Sequence, residues 1–386
     1  MSTITLFDAV HVSNDQRPAL ATEDQYEYLS WSGRPEIAAV RSCLEGWFIE
    51  YPDDAKAMLA ARFRGAELRS ALFELYVFTL LKKQGHNPEV VEPSPQRSTQ
   101  RLPDFRIQRS GGGSLFIEAT TIDCDPGLSK MDRDLAPLKA ALDQMAIPHR
   151  FSIKVEKAAT TPLAFAKLQK GIDAWFGSPS FQLRRSSALG EGVDSIDEEI
   201  ACGDWVIEVT AYVSGSFGTP PRAGESPIVL WGTGVRFLDS MERLKKGLKR
   251  KADHYDVDGP VVLAVSPLGL GIDRDDVEAA LYGPTWQSLK HDGSSTIVRK
   301  GEGLWFKPNR GPKNSSFPAV LICEDVHPTT VGCPDPFVYH APESPFPVQG
   351  LLSRATHARL NGISVVYANG ARGCDLLGIP TGWPHV

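Results

Sequence analysis

Residues 102–122, LPDFRIQRSGGGSLFIEATTI, decide the fold. Two strand-favouring runs, Leu102–Gln108 and Ser114–Ile122, flank the glycine turn SGGGS at 110–114, which predicts a β-hairpin. Strand alternation sends Asp104 and Arg106 to one face and Phe105 and Ile107 to the other. In the second strand Phe116, Glu118 and Thr120 share a face, setting a carboxylate in a run otherwise fit for a sheet interior. Strand centres disfavour such a residue, so Glu118 asks for a reason to be there.

Upstream, Pro88–Glu92 reads as a further short strand, and before it the stretch ELRSALFELYVFTLLKKQ at 67–84 predicts a buried helix. It is apolar almost all round and stops at Lys82, Lys83 and Gly85. Glu74 lies on one stripe with Glu67, Ala71, Phe78 and Leu81. A buried carboxylate needs a cation, a hydrogen-bond network or a metal, or else becomes neutral. A core arginine or a place at the helix edge would satisfy it equally well. Further upstream, 35–62 reads as two short amphipathic helices split at Pro52.

The order helix-Glu, strand Pro-Asp, turn, strand Glu-x-Thr rests on Glu74, Pro103-Asp104 and Glu118-Ala119-Thr120, and in these residues the chain resembles the PD-(D/E)XK, restriction-endonuclease-like nuclease superfamily. The resemblance covers about 61–122 and 237–268. It implies an α/β fold with a core of helix, three-stranded meander, helix and strand, the mixed central sheet flanked by helices. On that reading 1–60 is an N-terminal helical extension and 61–270 is the nuclease-like core, with a large insertion at about 123–236. Residues 271–386 form a Pro-rich C-terminal accessory region.

The resemblance also implies a chemistry. Asp104 and Glu118 would bind Mg2+, for which Mn2+ can substitute, with the residue 119 carbonyl as a further oxygen ligand. The ion would polarise the scissile phosphate and lower the pKa of a bound water. Glu74 would hold a second ion or orient an outer water. Thr120 stands where the family carries lysine, and a hydroxyl cannot replace an ammonium electrostatically. The superfamily sometimes supplies that cation from elsewhere. The helix read over 237–255 offers Lys251, which interrupts an inward stripe of Leu244, Leu248 and Tyr255. The alternative for Lys251 is an aliphatic stem on apolar surface with its amine in water. Lys245, Lys246 and Lys249 lie off that stripe and read as solvated or phosphate-facing. Arg101, Arg106, Lys245 and Lys249 are the expected nucleic-acid contacts. His254 could assist proton transfer, or be an exposed helix histidine.

The rest of the chain is less distinctive. Helical spacing at 128–146 and 161–176 surrounds a strand at 151–156, and 177–203 reads as a Ser/Gly/charge-rich connection. Strands follow at 205–213, 227–231 and 260–268, with a short helix at 273–281 and a strand at 319–324. Trp305, Phe317, Phe337, Tyr339 and Phe346 could stack on bases, meet a partner, or pack an irregular region.

Composition sets the outer limits. The 386 residues include 34 Gly, 29 Pro, 42% apolar and 23% charged residues, which excludes disordered, collagen-like and coiled-coil classes. The six cysteines are too dispersed for a zinc site or a disulfide framework. No P-loop, zincin or α/β-hydrolase string is present. Net charge is −6, so a polyanion would have to meet a local basic patch, such as Arg97–Arg109 or Met241–Lys251. The start lacks a signal sequence and no window suits a bilayer, so a cytoplasmic protein without membrane contact is expected. The function expected is a metal-dependent endonuclease acting on DNA in restriction or phage defence, as a homodimer or with a partner protein of a defence system. The alternative is a catalytically inactive nuclease-like scaffold that binds nucleic acid or protein.

Overall fold

The computed structural model describes residues 4–8, 13–17, 19, 23–91, 102–109, 112–124, 142, 147–157, 164–215, 218–221, 227–233, 240–252, 255, 257–268, 272–289, 294–307, 311–312, 317–324, 326–346, 348 and 350–384. Arg101, His254 and, Leu142 apart, the helical spacing read over 128–146 lie outside them. The chain forms two compact units: one of 1–12, 29–126 and 238–386, the other of 13–28 and 127–237.

The first unit is built on a mixed eight-stranded sheet. Its first three strands, β1 (Glu89–Val90), β2 (Phe105–Gln108) and β3 (Ser114–Asp123), form an antiparallel meander. Gly112 and Gly113 adopt φ of 86° and 77° in the β2–β3 turn, where only glycine is unstrained. On one face lies the helix Leu68–Lys83, in which every residue from Ala71 to Leu81 is buried. Phe78 meets Phe105 from that side. The helices Pro35–Ile49 and Asp53–Phe63 part at Pro52, and Trp47 and Tyr51 pack edge-on against Tyr76 and Phe78.

The inserted unit carries β4 (Phe151–Lys157), β5 (Ser195–Cys202), β6 (Trp205–Tyr212) and β7 (Ile228–Thr233) in the order β5-β6-β4-β7. Its core joins Phe151, Ile153, Ile207 and Val209 to Leu168, Ile172 and Trp175 of the helix Phe165–Phe176. The stretch 177–203 is not a connection: it holds the helix Pro179–Glu191 and strand β5. Ser178 caps the helix by accepting from Phe181 N, Pro179 opens it and Gly192 closes it at φ 72°. The charges of β5 that masked it as a loop alternate outward, Asp197 and Glu199 exposed against buried Ile196 and Cys202.

The chain then returns through the helix Ser240–Ala252 to β8 (Val261–Leu268), which runs parallel to β3 with Glu118 opposite Leu263. Val261–Pro267 are all buried, as befits a strand covered on both faces. The 271–386 region does not stand apart as an accessory. After the helix Arg274–Tyr282 and the hairpin of β9 (Thr285–Leu289) and β10 (Ser295–Arg299) come the short strands β11 (Phe306–Lys307) and β12 (Gly311–Pro312). Next, β13 (Ala319–Ile322), β14 (Phe337–His340), β15 (Thr356–Asn361) and β16 (Ser364–Ala368) extend the central sheet beyond β8. Strands β13 and β14 are nearly all buried, so their short apolar runs bury against the same core as β8. Trp305, Phe317 and Tyr339 belong to that core, which accounts for three of the C-terminal aromatics by packing. No helix among the described residues is long and apolar enough to cross a membrane.

Candidate active site

The meander brings the two sequence-distant carboxylates together. Phe105 stands opposite Ile117 and Arg106 opposite Phe116, so Asp104, immediately before β2, lies beside the Glu118–Ala119 stretch of β3, close enough for the Glu118 charge to act on it. Asp104 Oδ2 accepts a hydrogen bond from Ala119 N at 2.7 Å, tying the start of β2 to β3. A strand residue directs its N–H and C=O to the same neighbour, so the Ala119 carbonyl also points to the Asp104 side.

Glu118 is 5% exposed, and its partner comes from the helix Ser240–Ala252. Lys251 Nζ lies 2.7 Å from Glu118 Oε1. Leu244 and Leu248 are fully buried against Ile122 and Val265, so the inward stripe is real and Lys251 extends it to the carboxylate. Gly247 allows this seat: a Cβ there would lie 2.7 Å from Ile122 Cγ2. Thr120 is buried on the Glu118 face, and its hydroxyl donates to the Thr121 carbonyl at 3.4 Å.

Glu74, 4% exposed, approaches from the helix on the other face of the sheet. Tyr51 Oη donates to its Oε1 at 2.6 Å and Arg62 Nη1 to its Oε2 at 2.5 Å. Arg62 also reaches Glu67 at 2.9 Å. The arginine reading of Glu74 is therefore the one the structure contains, and both partners, Tyr51 and Arg62, precede the helix that carries it. Sequence reasoning missed Tyr51 and Arg62; the signal available was an unexplained Glu74 next to a segment carrying both a tyrosine and basic residues.

The electrostatics centre on Asp104. Burial raises its pKa well above the ordinary aspartate value, and the charges of Glu118 and then Glu74 raise it further; the Ala119 N–H and Lys251 pull the other way. Burial also lifts the Tyr51 hydroxyl far above its usual range, reinforced by Glu74. For Arg62 burial opposes the charge, but Glu74, with Glu67 and Asp104, holds the guanidinium above its ordinary pKa.

The expected nucleic-acid contacts are placed unevenly. Arg106 is exposed and paired with Glu89 at 2.5 Å. Lys249 is exposed on the helix. Lys245 is buried instead of solvated, 8% exposed and paired with Glu242 at 2.7 Å, because its stem lies along the packed side of the helix beside Leu244. Lys245 is thus not placed as a free phosphate contact.

Among the described residues, no group of three or more His, Cys, Asp or Glu side chains is arranged to hold a metal ion. The oxygen set the cluster does offer is Asp104, Glu118 and the Ala119 carbonyl. These are hard donors, and the carboxylate repulsion that adds to burial in raising the Asp104 pKa is the kind a divalent cation offsets. That set fits Mg2+ in chemistry. No protein-family model, curated protein or solved structure matches this chain.

Proposed function

We propose that this chain is a metal-dependent endonuclease of the PD-(D/E)XK type, hydrolysing phosphodiester bonds in DNA, with a restriction-endonuclease-like core. The core would comprise the helix Leu68–Lys83, the β1–β3 meander, the helix Ser240–Ala252 and β8. The observation that carries the reading is the ammonium of Lys251 on Glu118, supplying from a neighbouring helix the cation that Thr120 cannot. A role in restriction or phage defence comes with the family resemblance.

In this reading Asp104, Glu118 and the Ala119 carbonyl would hold Mg2+. When bound, the ion would activate a water and offset phosphoryl charge. Lys251 would orient the attacking water and stabilise the charge gathering on the phosphoryl oxygens. Ala119 N–H fixes the Asp104 carboxylate, and Tyr51 with Arg62 fixes Glu74. Arg62, with a side chain 29% exposed, would present its free edge to the phosphate backbone.

A second reading is favoured by one observation: Glu118 and Glu74 already have protein cations as partners, as a scaffold that had lost its metal would need. Plasmid nicking separates the two. The nuclease reading expects divalent-dependent nicking by the wild type, abolished in both Asp104→Ala and Glu118→Ala. Nicking that persists in both variants, or that needs no divalent ion, overturns it. Wild-type protein that binds the plasmid without nicking it is the scaffold.

A further inference from the structure

The far half of the central sheet carries a second built site, on the face opposite Tyr339 and Ala358. Strands β14 and β15 run parallel with Val338 opposite His357 and Tyr339 opposite Ala358. Tyr339 and Ala358 sink into the core, so the two-residue period turns His340, His357 and Arg359 to the other face. The imidazoles stack with centroids 5.1 Å apart. His340 Nε2 lies 2.8 Å from His357 Nδ1, and His357 Nε2 lies 3.2 Å from the Leu352 carbonyl.

These contacts dictate the tautomers. A carbonyl only accepts, so His357 carries its proton on Nε2 and presents a bare Nδ1, to which His340 donates from its own Nε2. The lone pair left over is that of His340 Nδ1, which has no hydrogen-bond partner among the described residues. Burial, helped by the Arg359 charge and then by His357, keeps His340 neutral with its pKa lowered to about 4. A neutral histidine, only 8% exposed, thus offers an acceptor and nothing else.

His340 lines a cavity of about 490 Å3 with Pro318, Pro342, Glu343, Phe346 and Arg359. That is the size of a small-molecule site. Arg359 is exposed and has no ion-pair partner among the described residues. Glu343 sits at φ 58°, in the left-handed region that non-glycine residues occupy at a cost and that clusters at ligand sites. Phe346 N donates to Ser344 Oγ at 3.2 Å, which fixes the ring's segment in the wall.

The lining specifies its ligand. Arg359 asks for an anion, and its planar fork suits a phosphate. His340 Nδ1 asks for an O–H or N–H donor. Phe346 and the prolines ask for a flat or apolar body. Inorganic phosphate leaves most of the volume empty, and an uncharged nucleoside leaves Arg359 unused. We propose that this cavity binds a nucleoside monophosphate, free or as a strand end, with Arg359 on the phosphate, His340 Nδ1 accepting from a ribose hydroxyl or base N–H, and the base against Phe346. None of these residues belongs to the Asp104 cluster, so the proposal stands or falls separately from the nuclease reading.

Isothermal titration of the full chain near neutral pH in EDTA tests it, with AMP, GMP, CMP, UMP and 5′-phosphorylated tetrathymidylate as probes, and adenosine and inorganic phosphate as controls. The expected result is saturable binding of at least one mononucleotide or of the oligonucleotide, with both controls about tenfold weaker or more. Binding of the oligonucleotide alone identifies a strand end as the occupant. Arg359→Ala, an exposed position, is expected to lower affinity about tenfold and leave the unliganded melting temperature unchanged. No saturable binding by any phosphorylated probe, or equal binding by Arg359→Ala, overturns the proposal.

Discussion

The ammonium of Lys251 lies 2.7 Å from a carboxylate oxygen of Glu118, although the two residues are 133 positions apart in the chain. Glu118 is among the few charged side chains buried in the central sheet, and it stands next to Asp104, whose carboxyl is kept from ionising readily by burial first and then by the Glu118 charge. Stability at the cluster therefore depends on this contact, and on the nuclease reading activity would depend on it too.

Removing the cation leaves a buried, uncompensated carboxylate. Lys251→Met is expected to destabilise the fold by roughly 2 kcal/mol, between the small value of an exposed pair and the larger one of a fully buried pair, because part of the lysine meets solvent. Urea unfolding measures this. Adding Glu118→Gln to the Lys251→Met variant should restore part of the loss; no restoration would mean the two side chains are not coupled.

Asp104 makes stability depend on pH. Its folded pKa is raised above the unfolded value, so the native state binds more protons than the unfolded state between the ordinary aspartate range and the raised pKa. Stability therefore falls as pH rises through that window. Asp104→Asn removes this penalty, and the variant should gain on the wild type progressively as pH is raised from acid toward neutrality in parallel unfolding titrations. A pH-independent difference would contradict the assignment.

If Asp104 and Glu118 hold a divalent ion, Mg2+ or Mn2+ should raise the wild-type melting temperature at neutral pH, by the equivalent of about 2.7 kcal/mol at a hundred times the dissociation constant. Asp104→Asn should show no such rise. An equal rise in both proteins places the ion elsewhere.

Tyr51 holds Glu74 at 2.6 Å. Tyr51→Phe removes a hydrogen bond to a charged group with little change of shape, so a loss of about 1.5–3 kcal/mol is expected by calorimetry. Because Arg62 still neutralises Glu74, DNA nicking should fall far less than in Lys251→Ala, for which a loss of about 100-fold to 1,000-fold is expected.

Gly247 sets the distance between the basic helix and β3. Gly247→Val forces atoms into Ile122 and is expected to cost about 1–3 kcal/mol, while nicking falls further than stability alone explains because Lys251 is carried away from Glu118. Retained activity would show that the helix can reseat without harm.

Much of this was legible in the chain itself. The hydrophobic period of 67–84, the break at Pro52 and the glycine turn at 110–114 each specify their elements locally. Lys251 stands out because it breaks an apolar stripe and Glu118 because it breaks an apolar strand; that the two satisfy one another is decided by the fold, which brings them face to face. Lys245 was misread for the complementary reason: a lysine with a long apolar stem can lie along a packed side while its amine finds Glu242 one turn away. The edge strand β5 was hidden because half of its residues face water and so look like a loop.

By itself, then, the sequence determined the local elements and the residues whose chemistry disagrees with their surroundings: Glu74, Asp104, Glu118 and Lys251. Those choices depend on neighbours three, four or two positions away, which any reader of the chain can see. Only the tertiary structure decided their partners. Tyr51 reaches Glu74 from the bend between two helices and Arg62 from the second of them, β14–β16 extend the sheet beyond the strand read at 319–324, and His340 meets His357 through a parallel pairing of β14 with β15. Such contacts are fixed by burying apolar faces against one another over long separations, and no local pattern records which faces will meet.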